Sequence, residues 1–285
     1  MSPRALTEAE LRRLIETGQQ PVLTLPPSMP AFAGVTADAS AAFAAEALER
    51  APPGAREAFE QQLFSMVYQP IVNLKTGRIL AYEALARTQT PHFPNILSLF
   101  DALGTCGMAG QLGRGLRKLA TKNCAYPLSI NVVPSEFAEG WLVRPDDAVF
   151  FHRQSVILEL TESVPLEYYD RCFEMVEEMR RRSLRIAIDD FGSGYSNLKY
   201  ISDLRPDLVK LDRKLLAGIK PGNRVFRLLK SIVTMIHEME AKVVTEGIET
   251  IVEFHSAQEC GSDYGQGYFL AMPAAQPPTV PWPLD

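Results

Sequence analysis

Residues 156–190 of this chain read VILELTESVPLEYYDRCFEMVEEMRRRSLRIAIDD, and this stretch decides the fold class. Apolar runs at Val156–Leu158 and Ile186–Ile188 flank an amphipathic stretch from Tyr168 to Arg182, which has helical periodicity. A strand, a helix and a second strand in this order are typical of a sheet whose strands lie parallel. The segment therefore predicts one βαβ unit of an α/β protein.

Short apolar segments that end in a polar group recur along the rest of the chain. The polar ends are Glu83, Asn131, Glu159, Asp189 with Asp190, Lys210 and Glu246. Helix-like stretches separate most of these segments, which predicts a largely parallel sheet, either open or closed into a barrel. In a barrel, the carboxyl ends of the strands meet at one mouth. That mouth would hold five acids, an amide and a lysine, a set that is too charged for an ordinary core and suits hard divalent cations.

The first strands break the parallel pattern. The polar turn Asn73–Gly77 joins two apolar runs, Ser65–Val72 and Arg78–Leu85, and is too short for a parallel crossover. We therefore expect an antiparallel hairpin, so a barrel formed by this chain would begin irregularly. Asp263–Leu270 is the candidate last strand, and its glycines would allow another group to approach closely.

The length of the chain suits one such barrel. Of its 285 residues, 46% are apolar, and a (β/α)8 barrel needs about 250 residues. Pro52-Pro53-Gly54 breaks the chain after a helix-like and Pro/Ala-rich lead, so we expect a segment 1–55 of unknown role and a barrel domain 56–285. Composition leaves open whether the lead is a linker from a larger regulatory architecture or a cap on the barrel.

Charge and cysteine usage restrict the partners and the location. A net charge of −5 argues against DNA or RNA polymers, whose binding rests on clustered Lys and Arg. Four widely separated cysteines favour thiols in a reducing compartment over zinc or disulfides. The chain shows no signal peptide and no apolar run of about 18 residues, so we expect no membrane span and a cytoplasmic location.

The polar strand ends can be divided between two cation sites. Oxygens of Glu83, Asn131, Glu159 and Asp189 would form one site, and Asp190 and Glu246 would remain for a second that shares Asp189. One such acid alone is usually a helix cap or a solvated group, but crowded like charges resist ionisation unless cations compensate them. Paired cations support in-line phosphoryl displacement, in which Lys210 would orient the attacking hydroxide or stabilise the transition state. The lysine can also be a structural partner of one of the acids.

Several motifs follow one another in a defined order between Phe64 and Pro273. They are YEALAR at 82–87, INVVP at 130–134, ELTES at 159–163, DDFGSGYSNL at 189–198, KLD at 210–212, EGIE at 246–249 and QGY at 266–268. With these motifs the chain resembles the EAL-domain phosphodiesterases, which convert the bacterial messenger cyclic di-GMP to linear pGpG. The ordered set is far more specific than any single short motif. The resemblance implies that the fold is a modified (β/α)8 TIM-type barrel with an antiparallel first strand, which agrees with the predicted hairpin.

The resemblance implies roles for individual residues. It assigns Glu83, Asn131, Glu159 and Asp189 to one Mg²⁺ or Mn²⁺ and Asp189, Asp190 and Glu246 to a second. The catalytic residues would be Lys210, Glu246 and Asp190, and the nucleotide contacts would be Gln69, Leu85, Arg87 and Gln266. A mobile loop, Phe191–Asn197, would be supported by Glu162, Gly192 and Gly194.

The resemblance also implies partners. We expect cyclic di-GMP as the ligand, a homodimer as the assembly and, given the unexplained lead segment, a possible role for a regulatory protein. An alternative is a catalytically weak or inactive cyclic di-GMP receptor that signals its occupancy without hydrolysis. A third alternative is an interaction protein that binds neither metal nor nucleotide.

Overall fold

The computed structural model describes residues 46–134, 136, 144–161, 169–194 and 198–282, which all belong to the compact unit Val35–Asp285. Most of the lead segment and Glu162 lie outside these residues. The described helices include none whose length and apolar character would suffice to cross a bilayer. The predicted domain boundary between residues 55 and 56 stays a prediction.

Among the described residues, eight strands form a closed barrel in the order β1 to β8. They are β1 (Phe64–Asn73), β2 (Ile79–Thr88), β3 (Leu128–Val132), β4 (Val156–Thr161), β5 (Arg185–Phe191), β6 (Leu208–Leu211), β7 (Lys242–Thr245) and β8 (Tyr264–Gly265). Strand β1 pairs antiparallel with both β2 and β8, whereas every other neighbouring pair is parallel. The modified barrel with an antiparallel first strand is confirmed.

Helices connect most of the strands. They are α1 (Pro53–Glu60), α2 (Ile96–Gly104), α3 (Ala109–Asn123), α4 (Tyr169–Arg181), α5 (Leu198–Leu204), α6 (Arg224–Glu238) and α7 (Ile251–Cys260), with 3-10 helices at Ala148–Phe151 and Arg213–Leu216. The helix predicted between Tyr168 and Arg182 is confirmed as α4. Helix α7 begins with a capping box in which Thr250 and Glu253 each accept a hydrogen bond from the other's backbone N–H.

The tripeptide Pro52-Pro53-Gly54 starts a helix instead of breaking the chain. Pro53 is the first residue of α1, where a missing N–H costs no hydrogen bond. Three alanines, Ala47, Ala51 and Ala55, are buried in the main hydrophobic core, so residues just before the predicted boundary pack as part of the barrel unit. For these residues the contacts favour a cap over a linker.

Strand β8 is much shorter than the predicted strand Asp263–Leu270. Only Tyr264 and Gly265 form ladder pairs, because the chain then turns to pass close to Ile248. A Cβ atom on Gly267 would lie 2.2 Å from the Ile248 carbonyl oxygen, so only glycine fits there. The predicted close approach at these glycines is thus confirmed, although the strand length was wrong.

Candidate active site

A polar layer lies on an apolar floor inside the barrel. The floor is a separate cluster of buried residues, namely Ile71, Ala81, Ile157, Ala187, Leu208 and Val244. In the parallel strands, the residue two positions after each floor residue is polar: Glu83, Glu159, Asp189, Lys210 and Glu246. Alternate residues of a strand share a face, so the polar groups project into the same interior, one layer nearer the mouth. In the reversed strand β1 the polar residue, Gln69, precedes its floor residue by two positions.

A bulge at the end of β5 brings two consecutive acids to the same site. In a regular strand, Asp189 and Asp190 would point to opposite faces. The pairing of β5 with β6 shifts between Ile188 and Phe191, and Asp190 has a left-handed φ of 58°. Carboxylate oxygens of both acids consequently lie within 4.8 Å of each other and of one from Glu246.

Lys210 stands at the centre of the polar layer. Its side chain is buried, and its Nζ lies 2.7 Å from Glu246, 2.9 Å from Glu159, 3.1 Å from Asp189 and 3.3 Å from Glu83. The sequence left open a structural pairing with one acid, whereas the structure shows contact with four. One ammonium therefore balances only part of the negative charge of the cluster.

Neutral side chains orient two of these acids. Asn131 Nδ2 donates to Glu83 Oε1 at 2.8 Å, and Gln266 Nε2 donates to Glu83 Oε2 at 2.6 Å. Ser129 Oγ donates to Glu159 Oε1 at 2.6 Å. Because both acids are almost fully buried, these hydrogen bonds fix their carboxylate planes within the layer.

Burial and mutual repulsion shift the protonation of the cluster. Burial raises the pKa of Glu159 well above its usual range, with a further contribution from the charge of Glu83. Burial also raises the pKa of Asp189, and it raises that of Glu246 to about 8. At Glu83 burial acts in the same direction, but Lys210 and the hydrogen bonds outweigh it and lower the pKa. Burial disfavours the ammonium of Lys210, yet the surrounding acids outweigh it and raise its pKa well above the usual value.

The oxygen donors form two overlapping groups, each compact enough for one cation. In each group the donor atoms lie within 4.8 Å of one another, and the groups are Glu83, Glu159, Asp189 and Asp189, Asp190, Glu246. Asp189 belongs to both. Its Oδ1 is buried and lies 3.1 Å from Lys210 Nζ. Carboxylate oxygens in this number fit hard divalent cations.

A cavity of about 320 Å³ opens above the layer. Predicted site residues line much of it: Gln69, Glu83, Leu85, Asp189, Asp190, Glu246 and Gln266. The remaining lining residues were not predicted as site residues: Asp212, Arg213, Gly247, Glu249, Gly267 and Tyr268. Most of them stand in or next to the motifs KLD, EGIE and QGY, so adjacency to the polar strand ends was the signal that could have found them.

Other predicted residues stand apart from this cavity. Arg87 is exposed, does not line it, and donates from Nη1 to the Ala86 carbonyl oxygen at 3.0 Å. Gly192 lies in the loop after β5, where a Cβ would approach Leu215 Cδ1 to 2.7 Å. Gly194 is exposed in the same loop. The fourth residue, Glu162, lies outside the described residues, so its predicted role is untested.

Fold and site together define a class: a (β/α)8-type barrel protein whose mouth gathers acids around one lysine and suits the binding of divalent cations. The family model described as the EAL domain matches residues 54–273. The chain therefore belongs to the EAL domain family, as the motifs indicated.

Curated relatives carry names that agree with this family. A cyclic di-GMP phosphodiesterase of Pseudomonas aeruginosa is 30% identical over 224 residues, which cover 74% of this chain and 38% of that protein. The cyclic di-GMP phosphodiesterase TpdA of Vibrio parahaemolyticus is 27% identical over 212 residues, which cover 73% of this chain and 37% of the relative. The chain thus spans about a third of the length of the curated relatives that it matches.

Solved structures share the fold. The PaMucR phosphodiesterase in complex with cyclic di-GMP aligns with a TM-score of 0.66 at 25% identity, covering 74% of this chain and 97% of that one. BlrP1 of Klebsiella pneumoniae, in a complex with manganese and cyclic di-GMP, aligns with a TM-score of 0.65 at 25% identity, covering 82% and 60% respectively. Both similarities extend over most of the barrel.

Proposed function

We propose that this chain is a metal-dependent phosphodiesterase that hydrolyses one bond of cyclic di-GMP to give linear pGpG. The observation that carries the proposal is the sharing of Asp189 between two compact groups of oxygen donors at the barrel mouth. Paired cations that share a carboxylate suit in-line displacement at phosphorus. Relatives named cyclic di-GMP phosphodiesterases and a relative solved with manganese and cyclic di-GMP support the same substrate and cofactor class.

The proposed ligands are those of the two groups, with Asn131 completing the first. Bound Mg²⁺ or Mn²⁺ would supply activation of the attacking water and neutralisation of phosphate charge. The hydrogen bond from the Asn131 amide to Glu83, a member of that group, supports this role.

Lys210 and Glu246 would assist the proton transfer and the developing charge. Lys210 donates hydrogen bonds from within the layer, so its ammonium can stabilise negative charge that appears as water attacks the phosphorus. The Glu246 carboxylate, which lies 2.7 Å from Lys210 Nζ, would accept a proton from that water. Asp190, which the bulge brings beside Asp189, would act in catalysis as a ligand of the second cation.

Residues above the layer would bind the nucleotide. Gln69, Leu85 and Gln266 line the cavity, and Arg87 would reach it only by leaving its contact with the Ala86 carbonyl oxygen. Gln266 Oε1 is buried and accepts no hydrogen bond from the residues that the structure describes, so it would offer an acceptor to an N–H group of a guanine base. Assembly as a homodimer, support of the loop after β5 by Glu162, Gly192 and Gly194, and control by a protein partner belong to the same proposal.

The test is product formation by the purified chain. Incubation with cyclic di-GMP and Mg²⁺ or Mn²⁺, followed by chromatography, should yield pGpG, and excess EDTA should stop the reaction. Binding of cyclic di-GMP by calorimetry without pGpG would identify the receptor alternative instead. Failure both to bind and to hydrolyse the nucleotide would favour an interaction protein.

A further inference from the structure

The cavity at the barrel mouth is lined by many more acidic side chains than basic ones. Six acids line it: Glu83, Asp189, Asp190, Asp212, Glu246 and Glu249. Arg213 is the one cation among the described lining residues. Lys210 lies beneath the cavity, and its ammonium is already surrounded by four carboxylates. A ligand with more than one negative charge therefore meets a wall that repels it wherever no cation is present.

The proposed substrate has two phosphodiester groups, each with one negative charge. The two groups of oxygen donors and Lys210 lie at the Asp189 end of the cavity, where cations bound by those donors would neutralise the phosphodiester that is cleaved. The second group is separated from the first by the sugars of the ring and needs a positive partner of its own. Without one, its approach to the remaining acids would be unfavourable.

We propose that Arg213 binds the second, uncleaved phosphodiester and so selects a cyclic dinucleotide over a ligand with a single phosphodiester. This inference rests on the proposed function and names a substrate-binding residue for the same site. A guanidinium suits the task because its planar fork of N–H donors matches two phosphate oxygens at once.

The stem of Arg213 is held at the correct edge of the cavity. Asp212 Oδ1 accepts a hydrogen bond from the Lys214 N–H at 2.9 Å and so caps the 3-10 helix that begins at Arg213. A Cβ atom on Gly247, which has a φ of +67°, would lie 2.3 Å from the Arg213 Cβ. Because Gly247 has no side chain, the stem of Arg213 can pack directly against the backbone next to Glu246.

The head of Arg213 is available to a ligand. The residue is exposed, and within the described parts of the chain its guanidinium makes no ion pair. Arg87, the arginine that sequence motifs suggested for phosphate binding, is directed to the Ala86 carbonyl oxygen and does not line the cavity. Of the two arginines, Arg213 is the one already placed at the acid-lined wall.

The experiment compares Arg213→Gln with wild type and with Lys220→Gln, which removes an exposed charge after the same 3-10 helix but away from the cavity. Two substrates are used with Mn²⁺: cyclic di-GMP, and bis(p-nitrophenyl) phosphate, which has only one phosphodiester. Calorimetric titration of cyclic di-GMP in Ca²⁺, with pGpG checked afterwards, provides a binding constant that does not depend on turnover. Thermal melting confirms that each variant is folded.

Arg213→Gln should raise KM and Kd for cyclic di-GMP about tenfold, equivalent to about 1.4 kcal/mol. It should leave kcat within about twofold and leave kcat/KM for bis(p-nitrophenyl) phosphate unchanged. Arg213→Lys should recover part of the affinity, because it keeps the charge but loses the fork. Lys220→Gln should keep the wild-type KM, Kd and kcat for cyclic di-GMP and the wild-type kcat/KM for bis(p-nitrophenyl) phosphate.

The inference is overturned if wild type forms pGpG while Arg213→Gln keeps the wild-type Kd for cyclic di-GMP. It is equally overturned if the variant loses activity towards both substrates to the same extent, which would indicate a structural role. A wild-type chain that neither binds nor cleaves cyclic di-GMP would overturn the proposed function first and this inference with it.

Discussion

Replacing Lys210 by methionine should separate the stability of the barrel from its catalysis. The substitution keeps the length of the side chain and removes an ammonium that lies within 3.3 Å of four buried or nearly buried carboxylates. Removing one partner of a buried ion pair costs about 3–5 kcal/mol. At about 2–4 °C per kcal/mol for a domain of this size, the melting temperature of the metal-free variant should fall by roughly 6–20 °C.

Divalent cations should reverse this loss, because they supply the positive charge that the lysine provided. With the competing ammonium gone, we expect Mn²⁺ to bind the variant at least about tenfold more tightly than wild type and to raise its melting temperature more. Turnover should nevertheless stay about 10²–10³-fold below wild type, because the donor that stabilises developing charge is missing.

Thermal melting in EDTA and in Mn²⁺ measures the loss of stability and its recovery. Calorimetric Mn²⁺ titration measures the metal affinity, and pGpG formation measures the turnover. Lys230→Met is the matched control, because Lys230 is exposed on α6. This substitution should leave the melting temperature, the Mn²⁺ affinity and the turnover unchanged. The reasoning would be refuted by a metal-free Lys210→Met protein that melts with wild type, or by equal stabilisation of both proteins by Mn²⁺.

Three further changes address other parts of the molecule. Glu83→Ala should abolish pGpG formation and weaken Mn²⁺ binding, because it removes a ligand of the first group; near-normal product would contradict the assignment. In the folded, metal-free protein, burial raises the pKa of Glu246 to about 8. Between the ordinary pKa of a glutamate and about pH 8, the folded protein therefore keeps a proton on Glu246 that the unfolded chain has already released. Stability should therefore fall as pH rises from about 5 to 8, and Glu246→Gln should flatten this decline in melts with EDTA. Gly113→Ala should destabilise the protein despite the higher helix propensity of alanine, because its Cβ would lie 2.0 Å from Glu136 Oε2. Gly115 lies in the same helix, and outside that helix's own backbone no atom of the described chain comes within 4 Å of the position that its Cβ would take. Gly115→Ala should therefore be neutral or stabilising by about 1 kcal/mol, and equal effects of the two changes would exclude the steric cause.

The Gly113 prediction rests on a buried charge network that sequence patterns did not reveal. Arg117 is fully buried on α3, its Nη1 donates to Glu136, and its Nε donates to Asp147 at 2.9 Å. Glu136 Oε1 in turn accepts from the Val133 N–H, just beyond β3. From the sequence alone, Arg117 resembles a surface residue of an amphipathic helix. Its two acids come later in the chain, and only the tertiary fold brings them into contact with it.

The hairpin and the polar strand ends show what could be predicted locally. A five-residue turn cannot span a parallel crossover, so the antiparallel first strand followed from Asn73–Gly77 alone. The length of β8 could not be predicted in this way. The approach of Gly267 to Ile248 ends the ladder early, and that contact joins residues from two different strand ends.

The amino-acid sequence alone predicted the order of strands and helices, the antiparallel first hairpin and the residues at the barrel mouth. It did so because strand periodicity and turn length are local properties, and because parallel strands bring their carboxyl ends to one side. Three features became visible only in the folded chain: Lys210 contacts four acids, a bulge brings Asp190 beside Asp189, and Arg213 lines the cavity. These facts depend on barrel closure and on contacts between distant residues, where the distances that set electrostatic strength are first established.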